Sequence, residues 1–115
     1  MKNIYIQNLE KRLEHIEKEK ENYYNFVKKE IVKIQNIISK FDLKKVVLFG
    51  SILNHQYFNI DSDLDIGIIG LEKTLFFELY RELSVELNVP FDLIDLDEDK
   101  EFKLKILSNC EVIYE

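Results

Sequence analysis

The sequence predicts an α/β (α+β) fold: a small mixed β-sheet with helices packed on it, preceded by a long N-terminal helix. Three observations carry this. Residues 1–41 contain neither Gly nor Pro, and Ile6, Leu9, Leu13, Ile16, Tyr23, Val27, Ile34 and Ile38 follow a three-four spacing, the period of a helix with one apolar stripe. Two short apolar runs rich in β-branched residues, Val46-Val47-Leu48-Phe49 and Ile66-Gly67-Ile68-Ile69, are bounded by polar residues, as buried strands are. Leu75, Phe76, Leu79, Leu83 and Leu87 then recur at helical spacing ahead of a third run, Phe91–Leu96.

The long N-terminal segment reads as one helix or two nearly collinear ones, with Asn3 or Asn8 as the starting cap and Asp42 just past the end. Its second half, about 28–40, should pack on the sheet. Its first half, about 5–25, overhangs a domain this small, and Lys20 interrupts its stripe. That half either folds back on the core or serves as a homodimer or partner contact, because an apolar stripe without a core seeks another chain. The chain thus divides into a helical extension, 1–27, and a domain, 28–115. Within the domain, Val46–Phe49 forms the first strand, and Ser51 to about His55 a short helix capped by the serine. Residues 56–62 form a loop. The next helix runs from Glu72 to about Asn88, and Pro90 ends it. Phe91–Leu96 is the third strand, 98–108 a short charged helix, and Glu111–Tyr114 a last strand.

Composition narrows the function. The 115 residues suffice for one domain with a modest core, and 46% hydrophobic with 33% charged residues are values of a globular protein. A net charge of −6 argues against a broad basic surface and so against direct nucleic-acid binding. The single cysteine, Cys110, cannot form an internal disulfide, which suits a reducing cytoplasm. No apolar run approaches the ~18 residues of a membrane span, and the N-terminus is too charged for a signal peptide. His15 and His55 are the only histidines, so nothing suggests a zinc site. Tyr23, Tyr24 and Tyr57 suit core or interface packing.

The chemistry concentrates between Lys45 and Gly67. Alternation along a strand points Asp63 and Asp65 to one side, about 7 Å apart, and Leu64, Ile66 and Ile68 to the other, into the core. Adjacent carboxylates repel unless a cation or proton lies between them, and such hard oxygens suit Mg²⁺ together with substrate phosphates. Gly50 follows the first strand and lets a backbone approach a ligand. Ser51 with the amides behind it offers an anion-binding end. In the third strand Asp92 and Asp95 lie on opposite faces, and the residues alone do not say which joins the acidic pair.

Gly50-Ser51, a spacer, then Asp63-x-Asp65, within the phrases LFGS and DSDLDIGI, resembles the signature of the polymerase β-like nucleotidyltransferase superfamily. The small size is most similar to its minimal nucleotidyltransferases, the MNT proteins, over roughly residues 28–115. The resemblance implies a nucleotidyltransferase fold. It implies two Mg²⁺ ions held by Asp63, Asp65 and Asp92, with these three as the catalytic carboxylates. Gly50 and Ser51 would bind the triphosphate of ATP, and AMP would pass to a hydroxyl. MNT proteins of this size resemble antitoxins that modify a partner HEPN-type toxin protein. Two departures stand out. Eleven residues separate Ser51 from Asp63, against ten in the family, and no arginine follows the serine, which removes one bidentate phosphate clamp. They leave an alternative, a catalytically degenerate MNT-fold module that neutralises its partner by contact.

Overall fold

The computed structural model describes residues 3–115; residues 1 and 2 of the expected extension lie outside the described residues. A single helix, α1 (Ile4–Ile38), takes up 35 residues without a break, running straight through the boundary read at 27/28. Asn3 is its cap, its side chain accepting a hydrogen bond from the Tyr5 amide at 2.8 Å. The first half does not fold back: Ile6, Leu9, Leu13 and Ile16 are 51–59% exposed. The second half buries Val27, Ile31, Ile34, Ile37 and Ile38.

Four strands follow: β1 (Lys45–Phe49), β2 (Leu64–Ile69), β3 (Phe91–Asp95) and β4 (Glu111–Tyr114). They form one mixed sheet in the order β3-β2-β1-β4, with β2 and β3 parallel and the other pairs antiparallel. Helix α2 (Phe76–Glu86) links β2 to β3, and α3 (Lys100–Leu107) links β3 to β4. α2 is shorter than the spacing predicts, because residues 73–75 form a separate 3-10 turn.

The unbroken apolar run of β1 has a simple cause: both faces of the sheet are covered. Val46, Leu48, Leu64, Ile66, Ile68 and Leu93 face α1 and α2. Val47, Phe49, Ile69 and Leu96 face the other way, where Phe102, Ile106 and Leu107 of α3 pack. One charged side chain, Glu30, is buried among the described residues. Its Oε1 accepts from Lys33 Nζ at 3.1 Å and from Asn88 Nδ2 at 3.3 Å, which offsets part of the cost of burying a carboxylate.

The expected helix from Ser51 to His55 is not formed. Residues 50–53 make a 3-10 turn instead, and Ser51 stands inside it rather than at a cap. The cause lies in Asn54. Its amide closes the turn on the Ser51 carbonyl at 3.1 Å, and its side chain accepts from the Gln56 amide at 2.9 Å. Such local side-chain bonds compete with helix propagation. The chain then returns Phe58 to the core, 1% exposed and stacked on Tyr23 with ring centroids 6.0 Å apart.

Candidate active site

The site begins where β1 ends. Phe49 is the cross-strand partner of Asp65, so the next residue, Gly50, turns beneath that carboxylate. Its φ is +75°, a left-handed conformation that glycine adopts without steric cost. A Cβ on Gly50 would lie 2.4 Å from Asp65 Oδ2. Two independent constraints therefore require glycine here, and the second of them is the carboxylate itself.

β2 starts at Leu64, whose amide donates to the Pro90 carbonyl at 2.9 Å. This bond sets the parallel register of β2 and β3, in which Asp65 pairs with Asp92. Register partners point to the same side of a sheet. Asp92 is thus beside Asp65, whereas Asp95 lies opposite Ile68 at the other end of the strand. Asp95 has a structural task there, its Oδ1 accepting from the Asp97 amide at 3.0 Å to cap residues 96–98. The choice left open by the alternation is made by a strand pairing that no local pattern displays.

Asp65 is half-buried, while Asp63 and Asp92 are exposed. Burial, then the charge of Asp92, then that of Asp63, push the Asp65 carboxyl above the usual carboxylate range. The two neighbours are therefore close enough to be felt. No three His, Cys, Asp or Glu side chains among the described residues already converge as a metal-holding group. A mutually repelling carboxylate set at a glycine turn nevertheless fits Mg²⁺, which binds through one or two carboxylates and completes its shell with water and substrate phosphates. Gly50 and Ser51 meet the set at the Phe49–Asp65 end. Ser51 is half-buried within the turn.

Several residues around the turn escape a reading of the sequence. The Tyr24 hydroxyl lies 3.5 Å from the Ile52 carbonyl, and the Tyr24 ring is 5.7 Å from that of His55. Lys20 Nζ donates to the Gln56 carbonyl. The helix thus grips the loop from outside, and Lys20, which interrupts the stripe, is the loop's tether. Tyr23 and Tyr24 do pack on Phe58, but Tyr57 is 70% exposed. The phenylalanine of an otherwise mostly polar loop, Phe58, is the signal that could have pointed to this anchoring. A crevice lined by Glu17, Lys20, Glu21, His55 and Gln56 borders the tether. None of the three carboxylates lines it; Asp63 and Asp92 are exposed, so the candidate site is open to solvent on that side.

Comparison with known proteins bears on the fold and the family. The family described as polymerase beta, nucleotidyltransferase matches residues 32–115. No curated protein matches the chain. Among solved structures, a chain of the MntA–HepT toxin–antitoxin complex is similar at 20% identity, with a TM-score of 0.55, covering 76% of this chain and 71% of that one. A variant of that complex with two Asp-to-Glu replacements is similar at 21% identity and a TM-score of 0.57, covering 73% and 71%. At such identities the structures speak for the fold. The family match spans all four strands and every carboxylate of the candidate site, and on that ground the chain belongs to the polymerase β nucleotidyltransferase family.

Proposed function

We propose that the protein is a Mg²⁺-dependent nucleotidyltransferase that moves AMP from ATP to a hydroxyl of a partner protein, a HEPN-type toxin, and so acts as an antitoxin. The observation that carries this reading is Asp65 held between Gly50 and Asp92, with Asp63 close enough to raise its pKa. A fold gains nothing from clustered like charges unless a cation is to be held there.

Each residue then has a role. Asp63 and Asp65 would hold the ions, and Asp92 would hold one of them and take up the proton of the acceptor hydroxyl as its oxygen bonds the α-phosphorus of ATP and pyrophosphate leaves. The backbone of Gly50 and Ser51, with the serine hydroxyl, binds the β- and γ-phosphates. Bound Mg²⁺ supplies charge neutralisation at the phosphates and a lowered pKa for the acceptor hydroxyl. The rest of the rate comes from alignment, as phosphoryl and nucleotidyl transfers need little covalent help. The solvent-open side supports a protein acceptor, because the partner can supply the wall that this small domain lacks. The toxin–antitoxin complexes among the similar structures support the same partner class. A single thiol, Cys110, suits the cytoplasm.

A second reading, binding without transfer, is favoured by one feature. Residues 52–62 contain no Arg or Lys, so this loop offers no cation to the triphosphate. The two readings separate in one assay. The protein that co-purifies with the chain is incubated with labelled ATP and Mg²⁺. Transfer predicts a labelled partner with the wild type and none with Asp65→Asn. A partner that binds equally well in both cases and is never labelled would leave neutralisation by contact.

A further inference from the structure

The stripe of α1 keeps heptad spacing along its whole length, with Lys20 and Glu30 as its two charged members. Positions 6, 13, 20, 27 and 34 alternate with 9, 16, 23, 30 and 37, the pattern of a coiled-coil seam. From Val27 onward the chain's own domain covers this seam, and Val27, Ile34 and Ile37 are buried. From Ile6 to Ile16 the same seam is about half exposed. Ile60, 72% exposed, extends the patch beside a crevice lined by Ile16, Glu19, Lys20, Tyr23, Asn59 and Ile60.

We infer that the exposed seam of α1 is occupied by the α1 of a second copy of this chain, packed antiparallel about a two-fold axis. The domain's own position excludes the parallel alternative. It fills the seam side from Tyr23 onward, and a parallel partner helix would continue straight into that space. An antiparallel copy overlaps only along the overhang, and each domain lies beyond the other's overhang. One register also satisfies charge. With Leu13 facing the partner's Ile16, Arg12 flanks the partner's Glu19, and the symmetry gives two such pairs. In this register Ile6 reaches the partner's Tyr23, next to the crevice with the partner's Ile60. Leu9 meets the partner's Lys20, whose ammonium is already turned away to the Gln56 carbonyl. A single lysine in a seam is a device for fixing register. Glu10 and the partner's Glu17 approach on the other flank, so the flanking charges select the register more than they strengthen it. This pairing does not depend on the transfer reaction.

The test is sedimentation equilibrium of the full chain at micromolar concentration. The expected mass is twice the 13.8 kDa of one chain. Leu13→Glu/Ile16→Glu should be monomeric with unchanged circular dichroism, since both side chains are exposed in the single chain, 52% and 59%. Arg12→Glu should weaken dimerisation about fivefold, as surface pairs do, and Arg12→Glu/Glu19→Arg should restore it. A monomeric wild type, a dimeric Leu13→Glu/Ile16→Glu variant, or rescue by Glu17→Arg in place of Glu19→Arg, which marks a parallel pair, would each overturn the inference. So would a seam that is filled only when a different protein is added.

Discussion

Asp65 concentrates the physical tension of the molecule. Its carboxyl is pushed up by burial and by two like charges, so the folded state binds its proton more tightly than the unfolded chain does. Stability from this group is present at pH below the unfolded value, ~3.9, and is lost as pH rises through the higher folded value. Without metal at neutral pH, Asp65→Asn should therefore raise Tm above the wild type, and the gain should vanish near pH 3, measured by thermal melts across pH. Added Mg²⁺ should stabilise the wild type and leave the variant unchanged. Gly50→Ala tests the other side of the contact. Its Cβ meets Asp65 Oδ2, and its φ is left-handed, so a loss of about 1–3 kcal/mol in denaturant melts is expected. The acidic pair and the glycine were legible in the sequence because they act over a few residues. The choice of Asp92 over Asp95 was not legible in the alternation, because strand register is a non-local property, and only the family resemblance pointed to it.

At the scale of elements, α1 is one helix with two environments. Ile34→Ala, in the half that packs on the sheet, should cost about 2–5 kcal/mol. Leu13→Ala, in the overhang, should change stability by no more than about 0.5 kcal/mol in melts dilute enough to keep the chain monomeric. Urea melts of the two variants distinguish a helix with one buried half from a helix buried throughout. The helix and the strands follow from period and composition and were readable, whereas the period left open whether the first half folds back, and only the structure shows it exposed. The turn at 50–53 was not, since the Asn54 side chain and the tether from Lys20 decide it. Asp97 binds the neighbouring elements together. Its carboxylate accepts from Lys103 Nζ at 2.8 Å and from the Gly70 amide at 2.7 Å. The Lys103 bond first, and the Gly70 amide second, hold its carboxyl below the usual range. Its contribution is therefore present above the unfolded carboxylate value and is lost as pH falls through the folded one. Asp97→Asn should flatten that acid limb of the stability profile.

As a whole the molecule is elongated, 65 × 30 × 19 Å with a radius of gyration of 17.8 Å, against about 13 Å for a compact chain of this size. The excess is the overhang of α1. The remaining body presents Asp63 and Asp92 at its surface, with Asp65 half-buried between Gly50 and Asp92. No helix among the described residues is long and apolar enough to cross a membrane. We propose that Asp63, Asp65 and the Gly50 turn form a metal–nucleotide site. Calorimetric titration of ATP with Mg²⁺ into the wild type and into Asp63→Asn/Asp65→Asn tests it most directly. Binding by the wild type only when Mg²⁺ is present, and none by the double variant, is the expected result. Equal binding by both proteins, or none by either at saturating Mg²⁺, would contradict it.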